Sequence, residues 1–224
     1  MVSINELWLK GILHRNISFG NVLTLEEPLR GFLIDLGLTM RVTTDGKTQE
    51  EIDLHHHPMG TLPFIAVDLL PNPGTQRPGH ALCHDIESLF WVLLWTTLTF
   101  SGMSQPTEWM IQALKHLNNS NAVTVRHSKQ FLLMEPDLIR IEGKYAGATV
   151  LLQAYAKICK SSSFTTFEAV NEIFQDFKHG RLDPTKEGHK PERLDSPTLG
   201  PSQRKRGAEN PRDDSPDSKR YKGG

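Results

Sequence analysis

The feature that most constrains this chain is the run from Ile86 to Phe100. It carries apolar groups nearly all the way round a helix, interrupted only lightly by threonines. A helix without a polar face belongs in the middle of a fold, and this one is too short to span a bilayer. Its tryptophans, Trp91 and Trp95, are therefore expected in the core and not on a nucleic-acid stacking platform. Asp85, at the start of the run, suits an N-cap or first-turn acid. Whatever surrounds this helix must supply apolar faces for it.

The rest of the chain offers such faces. Ser3 and Glu6 have capping-box spacing, Ile4, Leu7 and Trp8 share a side, and Gly11 is placed to stop a helix over 3–10. Pro106 opens a second amphipathic helix near 106–118. Two more are expected over 148–160 and from Phe167 to Phe177, the latter capped by Thr165 with Glu168 and stopped by Gly180. A further helix falls near 128–134. Between the first and the central helix lie two strand-like runs, 21–25 and 31–34, joined at Pro28 as a small hairpin. Residues 38–63 show no periodicity and read as a long polar loop.

Length and composition set the class. The 224 residues, 38 % hydrophobic, suffice for one core. Net charge is −1, which gives no general reason to bind nucleic acid or a membrane. Residues 181–224 hold 11 Lys+Arg against 8 Asp+Glu, a balance of +3, which leaves −4 for residues 1–180. That tail has five apolar residues, Leu182, Leu194, Leu199, Ala208 and Tyr221, and is expected to be disordered. The expected division is thus a folded domain over 1–180 and a tail over 181–224. Two basic clusters in the tail, Arg204-Lys205-Arg206 and Lys219-Arg220-Tyr221-Lys222, have the form of a two-part nuclear import signal. Met1 to Lys10 shows no signal peptide, and Cys83 and Cys159 read as reduced thiols, so an intracellular location is expected, nuclear or cytoplasmic.

The chemistry concentrates in His14-Arg15-Asn16-Ile17-Ser18-Phe19-Gly20-Asn21, a polar break between two apolar runs. A second break, Asp35-Leu36-Gly37, follows the second strand. Asn21 and Asp35 flank the hairpin, where an amide and a carboxylate can converge on one cation. Other polar clusters carry less. The run His55-His56-His57 lacks ligand spacing and reads as a solvated loop. Pro78-Gly79 argues against a helical pair of His80 with His84.

The order of these motifs resembles the C-terminal lobe of protein kinases. His-Arg followed by Asn21, a hairpin, Asp35-x-Gly37, a long loop, Gly60-Thr61-x-x-Phe64-x-Ala66 and a helix opened by His84-Asp85-Ile86-Glu87-Ser88 occur in sequence. The wording Ile17-Ser18-x-Gly20-Asn21, Leu33-Ile34-Asp35 and His-Asp-Ile-Glu-Ser is similar to the fungal-type protein kinase family. The resemblance spans about residues 3–180. It implies a mainly α (α+β) fold, a helical bundle with a small β-hairpin. It also implies ATP-dependent Ser/Thr phosphorylation of a protein substrate, with Mg²⁺ and ATP as cofactors. By the same resemblance Asn21 and Asp35 are metal-binding and cofactor-binding, and His14 and Arg15 form a structural pair. Asp85 holds the loop's backbone, and Thr61 belongs to the peptide-positioning segment. Asp68 replaces a glutamate that pairs with an arginine, and its shorter side chain is expected to weaken that pair. Thr43, Thr44 and Thr48 lie where kinases carry activating phosphosites.

Two departures shape the functional expectation. Asn16 stands at the catalytic-base position, where the family has an aspartate, and an amide takes no proton at pH 7. Losing a positioned base typically costs about 10²–10⁴ in rate. Only thirteen residues precede His14 and no G-x-G-x-x-G occurs, so the β-rich N-lobe with its strand lysine is expected to be absent. The nominal function is a fungal-type kinase that is catalytically impaired. The alternatives are a degenerate lobe that binds a protein partner, and a fragment without independent function.

Overall fold

The computed structural model describes residues 3–27, 30–41, 60–160 and 166–182. The chain divides into two compact units, Met1–His189 and Lys190–Gly224, and the described residues all belong to the first. The Pro28 corner, Thr43, Thr44, Thr48, His55 to His57, Thr165 and both basic tail clusters lie outside the described residues.

The described unit is mainly helical. Its order is α1 (Ile4–Leu9), β1 (Ile12–Leu13), β2 (Val22–Leu25), β3 (Arg30–Leu33), β4 (Met40–Arg41), α2 (Leu82–Thr99), α3 (Glu108–Leu117), α4 (Ala122–Met134), α5 (Ala148–Cys159) and α6 (Phe167–Lys178). The helical bundle with a small hairpin expected from the sequence is what forms. The central helix is α2. Ile86, Phe90, Trp91, Leu94 and Leu98 are all buried along it, and Met110 and Leu117 of α3, Leu132 and Leu133 of α4, and Leu151, Leu152 and Tyr155 of α5 join the same core. Each side chain of that size contributes roughly 1.5–3 kcal/mol by leaving water. Phe90 also meets Trp91 and Tyr155 edge to face, at centroid distances of 4.7 and 5.5 Å. The Tyr155 hydroxyl donates to the Ile86 carbonyl at 2.8 Å, so α5 is pinned to α2 by a buried polar bond as well. Among the described residues no helix is long and apolar enough to cross a membrane.

Local chemistry explains the element ends. The Ser3 and Glu6 capping box is present at α1, and Gly11 follows at φ 65, a left-handed stop that glycine adopts without strain. Four boundaries differ from the sequence expectation. Helix α3 begins at Glu108 with Thr107 as N-cap, so Pro106 lies outside it. Helix α4 spans Ala122–Met134, well beyond 128–134, because the Asn121 side chain accepts hydrogen bonds from Val123 and Thr124 at 3.0 Å each and starts it early. At α6 the N-cap is Thr166, whose hydroxyl accepts from the Ala169 amide. Helix α2 starts at Leu82, ahead of the Ile86 run, and Asp85 is its first-turn acid, one of the two roles its position suited.

Among the described residues there are two antiparallel sheets where the sequence suggested one. The expected hairpin is β2–β3, with Val22 opposite Leu33 and Leu25 opposite Arg30. The second pairs Ile12 with Arg41 and Leu13 with Met40. Its partner strand lies inside the segment read as a polar loop, and two residues are too few for an alternating pattern to show.

Candidate active site

The site is assembled around one buried carboxylate. Asp85, in the first turn of α2, accepts the His14 backbone N–H at Oδ2 (2.7 Å) and the Arg15 backbone N–H at Oδ1 (3.0 Å). Its Oδ1 also lies 3.0 Å from Nε2 of His80. The central helix thus fixes two successive amides of the polar loop some seventy residues upstream in sequence. Those bonds hold Arg15 at φ 67, a left-handed conformation that costs a non-glycine residue about 1–2 kcal/mol.

The His14 ring ties the loop to the second break. Its Nε2 lies 2.9 Å from the Ile34 carbonyl and its Nδ1 accepts the Asn16 backbone N–H at 3.3 Å. These partners assign a neutral ring with the proton on Nε2. On the other side of the loop the Ile34 N–H donates to the Asn21 carbonyl at 3.0 Å, extending the β2–β3 ladder by one step. An antiparallel hairpin brings its two ends side by side, so Asn21 and Asp35, fourteen positions apart, lie at the same end of it.

At that place Asn16 lies between them. Asn21 Nδ2 donates to the Asn16 backbone carbonyl at 2.9 Å, and Asn16 Nδ2 donates to Asp35 Oδ2 at 3.1 Å. Asp35 is exposed and its backbone is left-handed, φ 60 and ψ 69. A Cβ at Gly37 would lie 3.4 Å from Asp35 Oδ1, so the glycine leaves room for the carboxylate. The donor set matches a hard divalent cation. With its nitrogen engaged, Asn21 has its amide oxygen to offer, and Asp35 has Oδ1. Among the described residues no group of three or more His, Cys, Asp or Glu side chains forms a metal cluster, so such a cation would take most of its ligands from nucleotide phosphates and water.

The remaining sequence-selected residues lie on the segment leading into α2. Gly60 adjoins the loop, since a Cβ there would be 3.5 Å from the Arg15 carbonyl, and Thr61 next to it is exposed. Asp68 is not part of the Asn16 cluster. Its carboxylate is 51 % exposed and 3.8 Å from Arg126 Nη2, a geometry worth little in water. Arg126 instead spends Nη1 on the backbone carbonyls of Val67 and Leu70.

Three side chains to which sequence reasoning assigned no such role hold this segment. Besides Arg126, Glu87 accepts the Val67 N–H at 2.8 Å and Trp91 Nε1 at 2.9 Å. Lys129 is 0 % exposed, donates to the Ile65 carbonyl at 2.6 Å and lies 4.7 Å from the Trp91 ring centroid. Burial pushes the Glu87 carboxyl up from its ordinary range and pushes the Lys129 amine down to about 7, while each charge favours the other. The signals were a lone glutamate in an apolar helix and a lysine in register with Val125, Leu132 and Leu133 on the buried face of α4.

Among curated proteins, none matches this chain. Residues 3–97, from α1 through most of α2, match the family model of fungal protein kinases, and the stretch that holds the polar loop, the hairpin and the buried acid is fungal protein kinase-like.

Proposed function

We propose that this chain is a fungal kinase-type lobe that is impaired in ATP-dependent Ser/Thr phosphorylation and works by binding a protein partner. The observation that carries this is the side chain of Asn16. Transfer of a phosphoryl group to a serine or threonine hydroxyl requires the hydroxyl to be oriented and its proton accepted. Asn16 is not basic, and its Nδ2 is turned to Asp35 as a donor. The rest of the loop is formed: Asp85 holds its backbone, Asn21 donates to the Asn16 carbonyl and Asp35 accepts from the Asn16 amide. Mg²⁺ bound with ATP would supply charge neutralisation at the phosphates. Asn21 and Asp35 are the residues to hold it, Thr61 to border the acceptor peptide, and Asn16 the position where the proton has no destination.

The basic clusters 204–206 and 219–222 favour an intracellular setting, nuclear or cytoplasmic. The test is phosphate transfer from ATP–Mg²⁺ to a generic Ser/Thr protein substrate by the full chain and by Asn16→Asp. The wild type is expected at background, at least about 10²-fold below a competent kinase. Robust transfer by the wild type would overturn the proposal.

A further inference from the structure

Asn16 touches both groups that face the candidate cation position. Its carbonyl oxygen accepts from Asn21 and its side-chain nitrogen donates to Asp35 Oδ2. Asp35 meanwhile holds φ 60, which a non-glycine residue keeps only when its surroundings fix it. We infer that Asn16 is a positioning residue that keeps Asp35 turned toward the site without a cation, and that it holds the site's affinity for free divalent cations low. This rests on Asn21 and Asp35 being the cation-facing pair.

The argument is one of charge and donors. An aspartate at position 16, in the same rotamer, would set a second carboxylate about 3 Å from Asp35, and two carboxylates sharing a site repel until a proton or a cation intervenes. The amide removes that repulsion and adds an N–H that satisfies Oδ2 directly. A cation approaching the wild-type site meets one negative charge in place of two, and one of the two carboxylate oxygens is already engaged. Ligand charge count is what tunes the affinity of oxygen sites for hard cations. The amide therefore substitutes for the cation structurally and competes with it.

The experiment uses the full chain and Mn²⁺ as the probe, followed by its electron paramagnetic resonance signal and by thermal unfolding. Wild type is expected to bind Mn²⁺ weakly, with no change in Tm at millimolar concentration. Asn16→Asp is expected to melt lower than wild type in EDTA, to bind Mn²⁺ at least about tenfold more tightly, and to regain its Tm with Mn²⁺. The double variant Asn16→Asp, Asp35→Asn is expected to lose that gain. Asn16→Ala supplies a readout without metal: amide exchange over residues 35–38 should be faster than in wild type. Equal Mn²⁺ affinity in Asn16→Asp and wild type, or equal exchange in Asn16→Ala and wild type, overturns the inference. If the gain survives in the double variant, the cation does not sit on Asp35 and the cation-facing pair falls with the inference. If there is no gain, yet Asp35→Asn alone abolishes the weak wild-type binding, the pair stands and only the role of Asn16 falls.

Discussion

The carboxylate of Glu87 accepts the backbone N–H of Val67 at 2.8 Å, so the segment before α2 is pinned to the very helix that follows it. The same oxygen takes the Trp91 indole N–H at 2.9 Å. Lys129 reaches the same neighbourhood from α4 and donates to the carbonyl of Ile65. Two buried, oppositely charged side chains thereby bracket residues 65–67 from two helices. Asp85, two residues before Glu87, holds the polar loop in the same way. The central helix is apolar over most of its surface and carries Asp85 in its first turn and Glu87 in its second, and those two acids place the backbone on which the candidate site stands.

Removing Glu87 should therefore be costly. Glu87→Ala leaves a buried backbone N–H and a buried indole N–H without their acceptor, and takes away the charge that favours the protonated Lys129 amine against burial. The expected loss is about 3–5 kcal/mol, read as a fall in the urea midpoint. Glu87→Gln keeps an acceptor and should lose less. A loss below about 1 kcal/mol for the alanine variant would mean that water replaces both bonds.

Lys129 makes stability depend on pH. Its folded pKa, about 7, lies below the ordinary 10.5. Between these values the unfolded chain binds more protons than the folded one, so stability from this group rises with pH from about 7 toward 10.5. Glu87, raised by burial, works in the opposite sense above its ordinary 4.5. Lys129→Met removes the first contribution. Urea titrations at pH 7 and pH 9.5 should show wild type gaining on Lys129→Met, with a slope of up to about 1.4 kcal/mol per pH unit. A constant difference between the two proteins would refute it.

Much of this could be read from the residues alone because it is local. The apolar run of α2 dictated the core, and the hairpin between Asn21 and Asp35 was legible as two strand-like runs joined by a turn. Capping signals were legible where the donor and acceptor are three residues apart, as at Ser3 and Glu6. What escaped was long-range. Met40–Arg41 becomes a strand only because Ile12–Leu13 offers it an edge. Glu87 and Lys129 are more than forty positions apart, and neither reveals its partner by pattern. The role of Asn16 as a donor to Asp35 was likewise invisible, since a sequence shows the lost base but not where the amide turns.

His84 should make the fold acid-sensitive. It is buried, and its Nδ1 accepts the Ala81 N–H at 2.9 Å at the start of α2, a role that only the neutral ring can fill. Burial, then the nearby His80, lower its pKa from 6.5 to about 4. The unfolded state takes up protons first as pH falls, so this contribution is complete above pH 6.5 and is lost as pH drops toward 4. From pH 7 to pH 5 the loss should be on the order of 2 kcal/mol. His84→Gln does not titrate and should flatten that part of the profile. An unchanged profile in the variant would place the acid sensitivity elsewhere.

Asp85 gives the most direct test of how the loop is held. Asp85→Ala withdraws the acceptor from the His14 and Arg15 amides and from the His80 ring, all in a buried setting. The expected loss of stability is about 3–5 kcal/mol. Asp85→Asn retains one acceptor oxygen but turns an amide donor toward groups that are themselves donors, so it should fall between alanine and wild type. Global stability alone would not separate a loop anchor from an ordinary buried acid. Hydrogen exchange does, because the amides of His14 and Arg15 should lose protection at denaturant concentrations where α5 remains protected. If both amides keep wild-type protection in Asp85→Ala, the loop is held by the His14 ring and the hairpin, and the carboxylate is dispensable to it.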